Sequence, residues 1–548
     1  MFRRIKPHLV PLLLLTVAVW GVYAGALEHH FLDNWDDQAY VVDNPAIRGF
    51  TAEHLRSAFS SYYLGNYAPM QIISYMLDYT LWGLKPAGFI FSNLVLHTFS
   101  TLLFYAILIR LRFTRTAACL AALLFAGHPV QVESVVWISQ RKNLLAMFFM
   151  LAAFHLYLSA LNTEGRRRLT FFAGSLAAFG AALLSKSVVV VFPLMLVAYD
   201  YCYLPQSGWR RGLRNKLPYL AAALLIGLTA LVSQDFSNSG GRVPYHGGSP
   251  LVTLYTMLTV FTRYLEMLAV PWRLSAIYGL PLRLSPDGAV ILSAIALLFS
   301  VAIGIFLCRR RHPLSFWYLL FFIGLLPVAN IIPIVTLMND RYLYFPMLGV
   351  AAAFGLLAGS SAFRLKAAQV PWRLFAATLL AAVALASARE RSRVWHDSIT
   401  LWTDAEAKTA GGSGYDLKSK FATLALADSY VREGYRCYDR GDSEEERRMY
   451  QAALSHDPTN YAALLQLGSL FVREGKPLLG RQYLLQMTQT FKRSAVGFQE
   501  LGLSYVATGE WKLAAAAFSQ ALELDPANQD YRRHLNAARE YAAQTASH

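Results

Sequence analysis

Long apolar runs without a charged residue constrain this chain most. Leu9 to Leu27, Gly88 to Ile109 and Tyr342 to Phe363 each contain no Asp, Glu, Lys or Arg. One helical crossing of a hydrocarbon core about 30 Å thick needs about 20 such residues. Only 15% of the 548 residues are charged, whereas soluble domains contain about 25% charged residues. These runs predict an all-α, polytopic membrane domain.

The first run could alternatively be a cleaved signal peptide, because basic residues precede it and Ala24-Gly25-Ala26 resembles a cleavage site. Its length and the many later runs favour a retained span. We expect about eleven spans in all, near residues 9–26, 88–109, 116–135, 143–161, 169–185, 187–204, 217–234, 288–307, 314–335, 343–360 and 371–388.

Basic clusters predict the orientation of these spans, because short cytoplasmic loops carry an excess of Lys and Arg. With the N-terminus inside, six clusters fall on one side: Arg3/Arg4/Lys6, Arg110/Arg112/Arg115, Arg166/Arg167/Arg168, Arg210/Arg211/Arg214/Lys216, Arg309/Arg310/Arg311 and Arg364/Lys366/Arg373. This agreement requires that Leu251–Val270, which contains Arg263 and Glu266, does not cross. We expect it to be a non-spanning or re-entrant helix on the outer side.

The predicted topology places the C-terminus and the long loop 28–87 on the outer side, where function is expected. The net charge of +16 does not indicate nucleic-acid binding, since much of the Lys and Arg lies in short connectors between apolar runs. The four cysteines show neither disulfide nor metal-ligand spacing. We expect all four to be unpaired.

The C-terminal part has a repeat of 34 residues. Ala495–Asn528 carries bulky, small and turn residues at the positions of a tetratricopeptide helix pair, and glycines keep the same register in two earlier units: Gly434, Gly468 and Gly502, then Gly441, Gly475 and Gly509. Such pairs stack into an α-solenoid. We expect a membrane domain over residues 1–388, a tetratricopeptide-repeat domain over 389–548 and a capping helix over Gln529–His548. The repeats could bind a polypeptide or act as a spacer or oligomerisation module.

The loop 28–87 opens with Asp33-Asn34-Trp35-Asp36-Asp37. Three carboxylates in five residues beside a membrane are costly unless a cation, a proton or an acceptor uses them. One could act as a general base, and another could orient that base or bind a divalent cation such as Mg or Mn. A solvated acidic loop is the alternative.

A second constellation is the stretch His128–Lys142, which places His128, Glu133, Arg141 and Lys142 in an otherwise apolar environment. Arg and Lys suit a lipid phosphate. Lys186 and Arg341 add two further cations on the predicted outer face. Each cation alone could reach lipid headgroups, but together with the carboxylates they indicate a site for an anionic lipid donor.

The order of these motifs resembles that of the transmembrane and tetratricopeptide-repeat O-mannosyltransferases and their bacterial relatives, within the C-type membrane glycosyltransferase fold. The residues that carry the resemblance are Trp35-Asp36-Asp37, Tyr67-Ala68-Pro69-Met70, Asn93 with His97, His128–Lys142, Leu184-Ser185-Lys186, Asp340-Arg341-Tyr342-Leu343-Tyr344 and Pro346.

This resemblance implies an enzyme that transfers a sugar from a polyprenyl phosphate to an acceptor, with inversion, on the extracytoplasmic face. It implies Asp36 as the base and Asp37 as its neighbour. Arg141, Lys142, Lys186 and Arg341 are the candidates for the donor phosphate, with His97, His128, Glu133 and Tyr344 in support. The implied partners are the lipid-linked sugar, membrane lipids and a polypeptide bound by the repeats, and the implied location is a bacterial inner membrane.

Three other functions stay open on the sequence. The acceptor could be a lipid or a surface polysaccharide, as in a polymerase or ligase. The chain could also be a non-enzymatic scaffold that recruits partners through its repeats. A transporter is less compatible, because transporters place ionisable groups near the middle of the membrane, whereas these groups gather at one predicted face.

Overall fold

The computed structural model describes residues 6–204, 212–233, 243–359, 370–409 and 417–546. The chain forms two compact units, Met1–Asp416 and Leu417–His548. Within the described ranges the regular secondary structure is helical, without a β-strand. The expected domain boundary between residues 388 and 389 falls inside the helix Val370–Arg393.

The first unit contains sixteen α-helices in its described ranges. They are α1 (Leu9–Tyr23), α2 (Ala52–Ser60), α3 (Pro69–Trp82), α4 (Pro86–Arg110), α5 (Arg115–Gly127), α6 (Val132–Val136), α7 (Arg141–Leu161), α8 (Gly165–Leu183), α9 (Phe192–Tyr203), α10 (Leu217–Ser233), α11 (Pro250–Ala269), α12 (Gly288–Arg309), α13 (Ser315–Leu325), α14 (Met347–Gly359), α15 (Val370–Arg393) and α16 (Ser398–Thr409).

Six of the helical segments in the described ranges are long and apolar enough to cross a membrane: Lys6–Glu28, Pro86–Arg110, Ile138–Leu161, Leu213–Ser233, Gly288–Arg309 and Trp372–Arg393. The pair α5 and Pro129–Val136, bent by 51°, adds a seventh if it forms one span. Shorter apolar helices occupy Ser187–Tyr203, Ser315–Val328 and Met347–Gly359. The chain is therefore a helical membrane protein, while the count of eleven spans stays a prediction. The helix α11, for which we expected no crossing, is not among these segments.

The centre of the first unit is the segment 124–147, in which every residue is buried. It includes the whole His128–Lys142 stretch, so these polar side chains lie inside the protein. The helices α5 and α14 pack closely together, and a Cβ atom added to Gly355 would lie 2.3 Å from the carbonyl oxygen of Ala117. A glycine is therefore required for this close approach.

The second unit consists of paired helices: α17 (Leu417–Arg440), α18 (Ser443–His456), α19 (Tyr461–Arg473), α20 (Pro477–Thr490), α21 (Ala495–Val506), α22 (Trp511–Leu524) and α23 (Gln529–Ala546). Three pairs repeat with the predicted period, and α23 follows them where the capping helix was predicted. The all-α architecture of a membrane domain followed by tetratricopeptide-type helix pairs is thus confirmed.

The two glycine series of the repeats have different physical causes. Gly502 lies where α21 meets α22, and an added Cβ would lie 2.4 Å from the ring of Phe518. Gly509 has a φ of +75°, the left-handed conformation that ends many helices and favours glycine. The first series allows two helices to touch, and the second reverses the chain between them.

The four cysteines are all free.

Candidate active site

The first long loop places its two adjacent aspartates in different environments. The Oδ1 atom of Asp37 accepts hydrogen bonds from the backbone N–H of Ser139 at 3.0 Å and from the Ser139 hydroxyl, and its Oδ2 atom accepts one from the Leu32 N–H at 3.1 Å. Burial raises the pKa of Asp37 from 3.8 to about 7, although these hydrogen bonds act in the opposite direction. Asp36 is only partly buried and lines a cavity.

Tryptophan rings fix the loop immediately before Asp36. Trp35 stacks on Trp137 with ring centroids 4.1 Å apart. Its ring centroid also lies 5.0 Å from that of Trp402 and 6.2 Å from that of Trp395. Ring pairs at such separations stabilise a fold beyond the area they bury. The position of Asp36 therefore depends on contacts with elements far away in the sequence.

The cavity beside Asp36 has a volume of about 700 Å³ and a lining with a polar and an apolar part. Its polar lining includes Asp36, Asn66, Gln140, Lys142, Asn143, Lys186 and Arg341. Its apolar lining includes one face of α10 and the segment around Pro327–Val335: Leu220, Ala223, Leu224, Gly227, Leu228, Leu231, Val328, Ile332, Ile334 and Val335. A ligand with a charged head and an apolar tail fits such a lining.

Three cations predicted from separate parts of the sequence meet in this cavity, and each is oriented by a neighbour. The Nζ atom of Lys142 donates to the Tyr40 hydroxyl at 3.2 Å and lies 4.7 Å from the centre of the Tyr40 ring. Lys186 Nζ donates to Asn143 Oδ1 at 2.6 Å. The guanidinium of Arg341 pairs with Glu133, and the Arg341 N–H donates to Glu133 Oε2 at 2.7 Å.

The fourth predicted cation, Arg141, does not line the cavity. Its Nη2 atom donates to Asp78 Oδ2 at 2.7 Å and to the carbonyl oxygen of Phe89 at 2.6 Å, and its Nε atom donates to Asn93 Oδ1. Arg141 and Asp78 have side-chain exposures of 1% and 2%. Because consecutive helical residues point about 100° apart, α7 directs Lys142 into the cavity and Arg141 into this buried ion pair.

The four residues predicted to support the site separate into two groups. Glu133 contacts the site directly through Arg341. His97 and Tyr344 bond to each other at 3.0 Å, and His97 Nε2 lies 3.0 Å from the carbonyl oxygen of Ala126. His128 Nε2 lies 3.1 Å from the carbonyl oxygen of Leu268. The three rings of the second group join helices and loops, and none of them lines the cavity.

The structure adds uncharged residues that the sequence did not single out. Asn66, Gln140 and Asn143 line the cavity, and Ser139 holds Asp37. Asn143 also donates to Ser134 Oγ at 3.1 Å and to Gln140 Oε1 at 3.2 Å, which directs its carbonyl oxygen to Lys186. Ser139, Gln140 and Asn143 lie beside Arg141 and Lys142 in the sequence, whereas Asn66 has no charged neighbour, and none of the four carries a charge that would mark it.

The side chains of the described ranges do not by themselves form a divalent-cation site. No three His, Cys, Asp or Glu side chains within the described ranges converge as metal ligands. Among those ranges Asp36 is the one carboxylate in the cavity lining, which also contains three cations. Hard cations such as Mg²⁺ need several oxygen ligands. In proteins Mg²⁺ is often held by one or two carboxylates together with substrate phosphates, so Mg or Mn stays an expectation of the sequence.

These features define a class: a helical membrane protein with a cavity lined by a carboxylate, a cluster of cations and many apolar side chains. The model of the family described as dolichyl-phosphate-mannose-protein mannosyltransferase matches residues 67–233. This range contains Lys142, Lys186 and the apolar face of α10, whereas Asp36 and Arg341 lie outside it.

Several curated proteins are similar to parts of the chain. Mouse protein O-mannosyl-transferase TMTC3 is 31% identical over 133 residues, which cover 22% of this chain and 14% of that protein. Human TMTC2 is 26% identical over 187 residues, covering 34% and 22%. F38B6.6 of Caenorhabditis elegans is 33% identical over 134 residues, covering 22% and 19%. The matched segments thus span less than a quarter of each relative. The chain is related to the transmembrane and tetratricopeptide-repeat O-mannosyltransferases.

Solved tetratricopeptide-repeat domains are also similar to part of the chain. The first such domain of human RPAP3 is 17% identical, covers 23% of this chain and 98% of that domain, and has a TM-score of 0.22. The Arabidopsis OM64 domain is 17% identical, covers 22% and 98%, and has a TM-score of 0.21.

Proposed function

We propose that this protein is an inverting glycosyltransferase that moves a sugar from a polyprenyl-phosphate donor to a hydroxyl group of a polypeptide. The observation that carries the proposal is the cavity whose lining contains Asp36, Lys142, Lys186 and Arg341 together with the apolar face of α10. The names of the relatives, protein O-mannosyl-transferases, favour mannose as the sugar and a protein as the acceptor.

The polar and apolar parts of the cavity lining match the two parts of such a donor. Three cations around one phosphate supply charge-assisted hydrogen bonds, which are about twice as strong as neutral ones. The apolar face of α10 and the segment around Val328–Val335 suit the isoprenoid chain. Burial of each CH₂ group contributes about 0.8 kcal/mol, so the chain supplies affinity while the phosphate sets the position of the sugar.

The proposed reaction is a direct displacement. Asp36 takes the proton from the acceptor hydroxyl, whose oxygen then attacks the anomeric carbon. The bond between this carbon and the phosphate oxygen breaks, and polyprenyl phosphate leaves with the electron pair. Lys142, Lys186 and Arg341 stabilise the charge on the leaving phosphate. Attack opposite to the leaving group inverts the anomeric configuration. Asp37, held by Ser139, orients the backbone at Asp36.

The basic clusters favour an active site on the extracytoplasmic face, which in a bacterium is the periplasmic side of the inner membrane. The helix pairs of residues 417–546 are of the kind that binds extended polypeptides. We assign them the role of recruiting the acceptor protein.

Transfer in a purified system tests this proposal. The full chain in lipid vesicles is supplied with polyprenyl-phosphate [³H]mannose and a mixture of extracytoplasmic proteins. Label in protein, released by β-elimination and absent for Asp36→Asn, is the expected result. Label in glycolipid or polysaccharide alone would favour the second acceptor class, and no transfer to any acceptor would contradict a glycosyltransferase.

A truncation tests the role of the repeats. A chain without residues 495–548 should bind sugar-free polyprenyl phosphate normally and transfer mannose poorly to a folded protein. Equal loss of donor binding and transfer would indicate that the repeats stabilise the membrane domain instead.

A further inference from the structure

The helix α16 contacts one loop of the candidate site directly and is linked to a second loop through Arg391, and it uses two different faces for these contacts. Ser398 and Trp402 are four residues apart, as are Asp404 and Lys408. Side chains four apart share one face of a helix, whereas Trp402 and Asp404, two residues apart, differ by about 200° around the axis. The two pairs therefore lie on nearly opposite sides of α16.

The first face holds the loop that presents Asp36. Ser398 Oγ donates to Asp33 Oδ1 at 3.0 Å, and Trp402 Nε1 donates to Asn34 Oδ1 at 3.0 Å. The fully buried ring of Trp402 also packs against Trp35. The three residues that immediately precede Asp36 in the chain are thus all in contact with α16.

The second face reaches the loop that presents Arg341. Asp404 accepts from Arg391 Nη1 at 2.7 Å and pairs with Lys408 at 2.6 Å. Lys408 Nζ also donates to the carbonyl oxygen of Leu274 at 2.7 Å. The other terminal nitrogen of the Arg391 guanidinium lies 3.9 Å from Oδ2 of Asp340, the residue directly before Arg341.

The contact between Arg391 and Asp340 is buried and electrostatic. Their side chains are 7% and 1% exposed, and neither Arg391 Nη2 nor Asp340 Oδ2 has a hydrogen-bond partner within the described part of the chain. The other carboxylate oxygen of Asp340 accepts a hydrogen bond from the Tyr278 hydroxyl. A buried carboxylate without enough donors depends strongly on a nearby cation. Asp404 orients Arg391, and it therefore acts on the loop that contains Arg341 indirectly, through Arg391.

We propose that α16 is a positioning element of the active site. Trp402 sets the position of Asp36. Asp404 acts through Arg391 and sets the position of Arg341. The kinetic consequences of this inference rest on the proposed function. Its structural consequences rest on the hydrogen bonds alone. Loss of the Trp402 contact should impair the chemical step, whereas loss of the Asp404 contact should impair donor binding.

The test uses the full chain in lipid nanodiscs with two conservative substitutions. Trp402→Phe keeps an aromatic ring but removes the donor to Asn34, and Asp404→Asn keeps the shape but removes the charge beside Arg391. Matched controls are Trp272→Phe and Asp439→Asn, since both of these side chains are exposed. Ser398→Ala, which removes only the bond to Asp33, replaces Trp402→Phe if that variant does not fold.

Amide hydrogen exchange measures the stability of the two loops without any assumption about activity. Trp402→Phe should raise exchange in residues 29–48 and leave 336–346 unchanged, and Asp404→Asn should do the reverse. Turnover of polyprenyl-phosphate mannose should fall by about tenfold to hundredfold in Trp402→Phe, the range expected when a catalytic group is misplaced by up to about 1 Å. Binding of sugar-free polyprenyl phosphate should stay normal there and weaken severalfold in Asp404→Asn.

Unchanged exchange in both loops would overturn the inference, whatever the activity. The inference also fails if the two variants alter both loops equally, because α16 would then be a general structural support. Loop-specific exchange changes in a protein that transfers no sugar would instead support the positioning role and refute the proposed function.

Discussion

The carboxyl group of Asp37 is bonded to both the backbone and the hydroxyl of Ser139, a residue 102 positions later in the chain. This contact joins the first long loop to the start of α7, where Lys142 points into the cavity. The neighbouring carboxylate, Asp36, lines that cavity. Two adjacent aspartates thus have different environments, one bonded to a distant backbone segment and one facing the cavity.

Asp36→Asn should abolish most of the transfer while leaving the fold intact. The substitution keeps the size of the side chain but removes the base, and the loss of a positioned base costs about a hundredfold or more. Single-turnover transfer from polyprenyl-phosphate mannose measures the effect. Binding of sugar-free polyprenyl phosphate and thermal stability serve as controls. Normal turnover in the double variant Asp36→Asn, Asp37→Asn would exclude the mechanism.

Asp37 should make stability depend on pH. Its pKa is about 7 in the folded protein and 3.8 as its ordinary value, so between these values the folded state binds more protons than the unfolded state. The contribution of Asp37 to stability should therefore be greatest near and below about pH 4 and fall as pH rises to about 7. Thermal unfolding of the detergent-solubilised protein at several pH values measures this, and Asp37→Asn should flatten the dependence. If the pH dependence of thermal stability is unchanged in Asp37→Asn, other groups cause that dependence.

The different orientations of neighbouring side chains explain what the sequence could not reveal about the site. The sequence grouped Asp36 with Asp37 and Arg141 with Lys142 by region, because charged residues in apolar surroundings are conspicuous. Which member of each pair faces the cavity depends on the rotation of the local backbone, fixed by Ser139 in one case and by Asp78 in the other. Such long-range partners leave no local pattern.

Lys186 and Arg141 should respond differently to loss of charge. Lys186→Met should weaken binding of sugar-free polyprenyl phosphate by about tenfold to hundredfold, because a hydrogen bond to a charged group contributes about 1.5 to 3 kcal/mol. Arg141→Met should instead lower thermal stability, since breaking a buried ion pair costs about 3 to 5 kcal/mol. Adding Asp78→Leu to Arg141→Met should restore part of the lost thermal stability. Isothermal titration measures the binding and thermal unfolding measures the stability. If Arg141→Met weakens binding of the lipid and leaves the stability normal, Arg141 contacts the donor and the ion-pair assignment is wrong.

The fold was predictable where one physical signal dominates. Apolar runs located the long helices, and the 34-residue period located the repeats, because Gly502 and Gly509 mark a helix contact and a chain reversal. The number of crossings was not settled in the same way. Gly165–Leu183 begins with three arginines after its first residue, and Ser315–Leu325 has only 11 residues. In such segments, burial by neighbouring helices rather than local hydropathy decides the position.

The predicted orientation can be measured with single cysteines in a background where the four native cysteines are replaced by alanine. Arg167 and Gln529 are exposed, whereas Ser207, in another predicted inner connector, lies outside the described residues. Arg167→Cys should be protected from an impermeant maleimide added to intact cells, and Gln529→Cys should be labelled. Permeabilised cells, in which both should react, provide the control. The reverse labelling pattern would place the cavity on the cytoplasmic side.

Gly227 offers the sharpest test of the apolar lining of the cavity, because it lies on the lining face of α10 and has open space beside it. A Cβ atom there would meet only Val190, at 3.8 Å, which is an ordinary van der Waals contact. Gly227→Ala should therefore leave donor binding unchanged and favour the helix slightly, by about 0.5 to 1 kcal/mol.

Gly227→Phe would fill the space assigned to the isoprenoid chain. The affinity of the Gly227→Phe variant for a long polyprenyl phosphate should fall by at least about tenfold. Several CH₂ groups would stay in water, and the burial of each contributes about 0.8 kcal/mol. Inorganic phosphate should inhibit both variants equally, because the cations Lys142, Lys186 and Arg341 are unchanged. If Gly227→Phe binds the long lipid as tightly as Gly227→Ala does, the isoprenoid chain lies elsewhere and the cavity holds only the head of the donor.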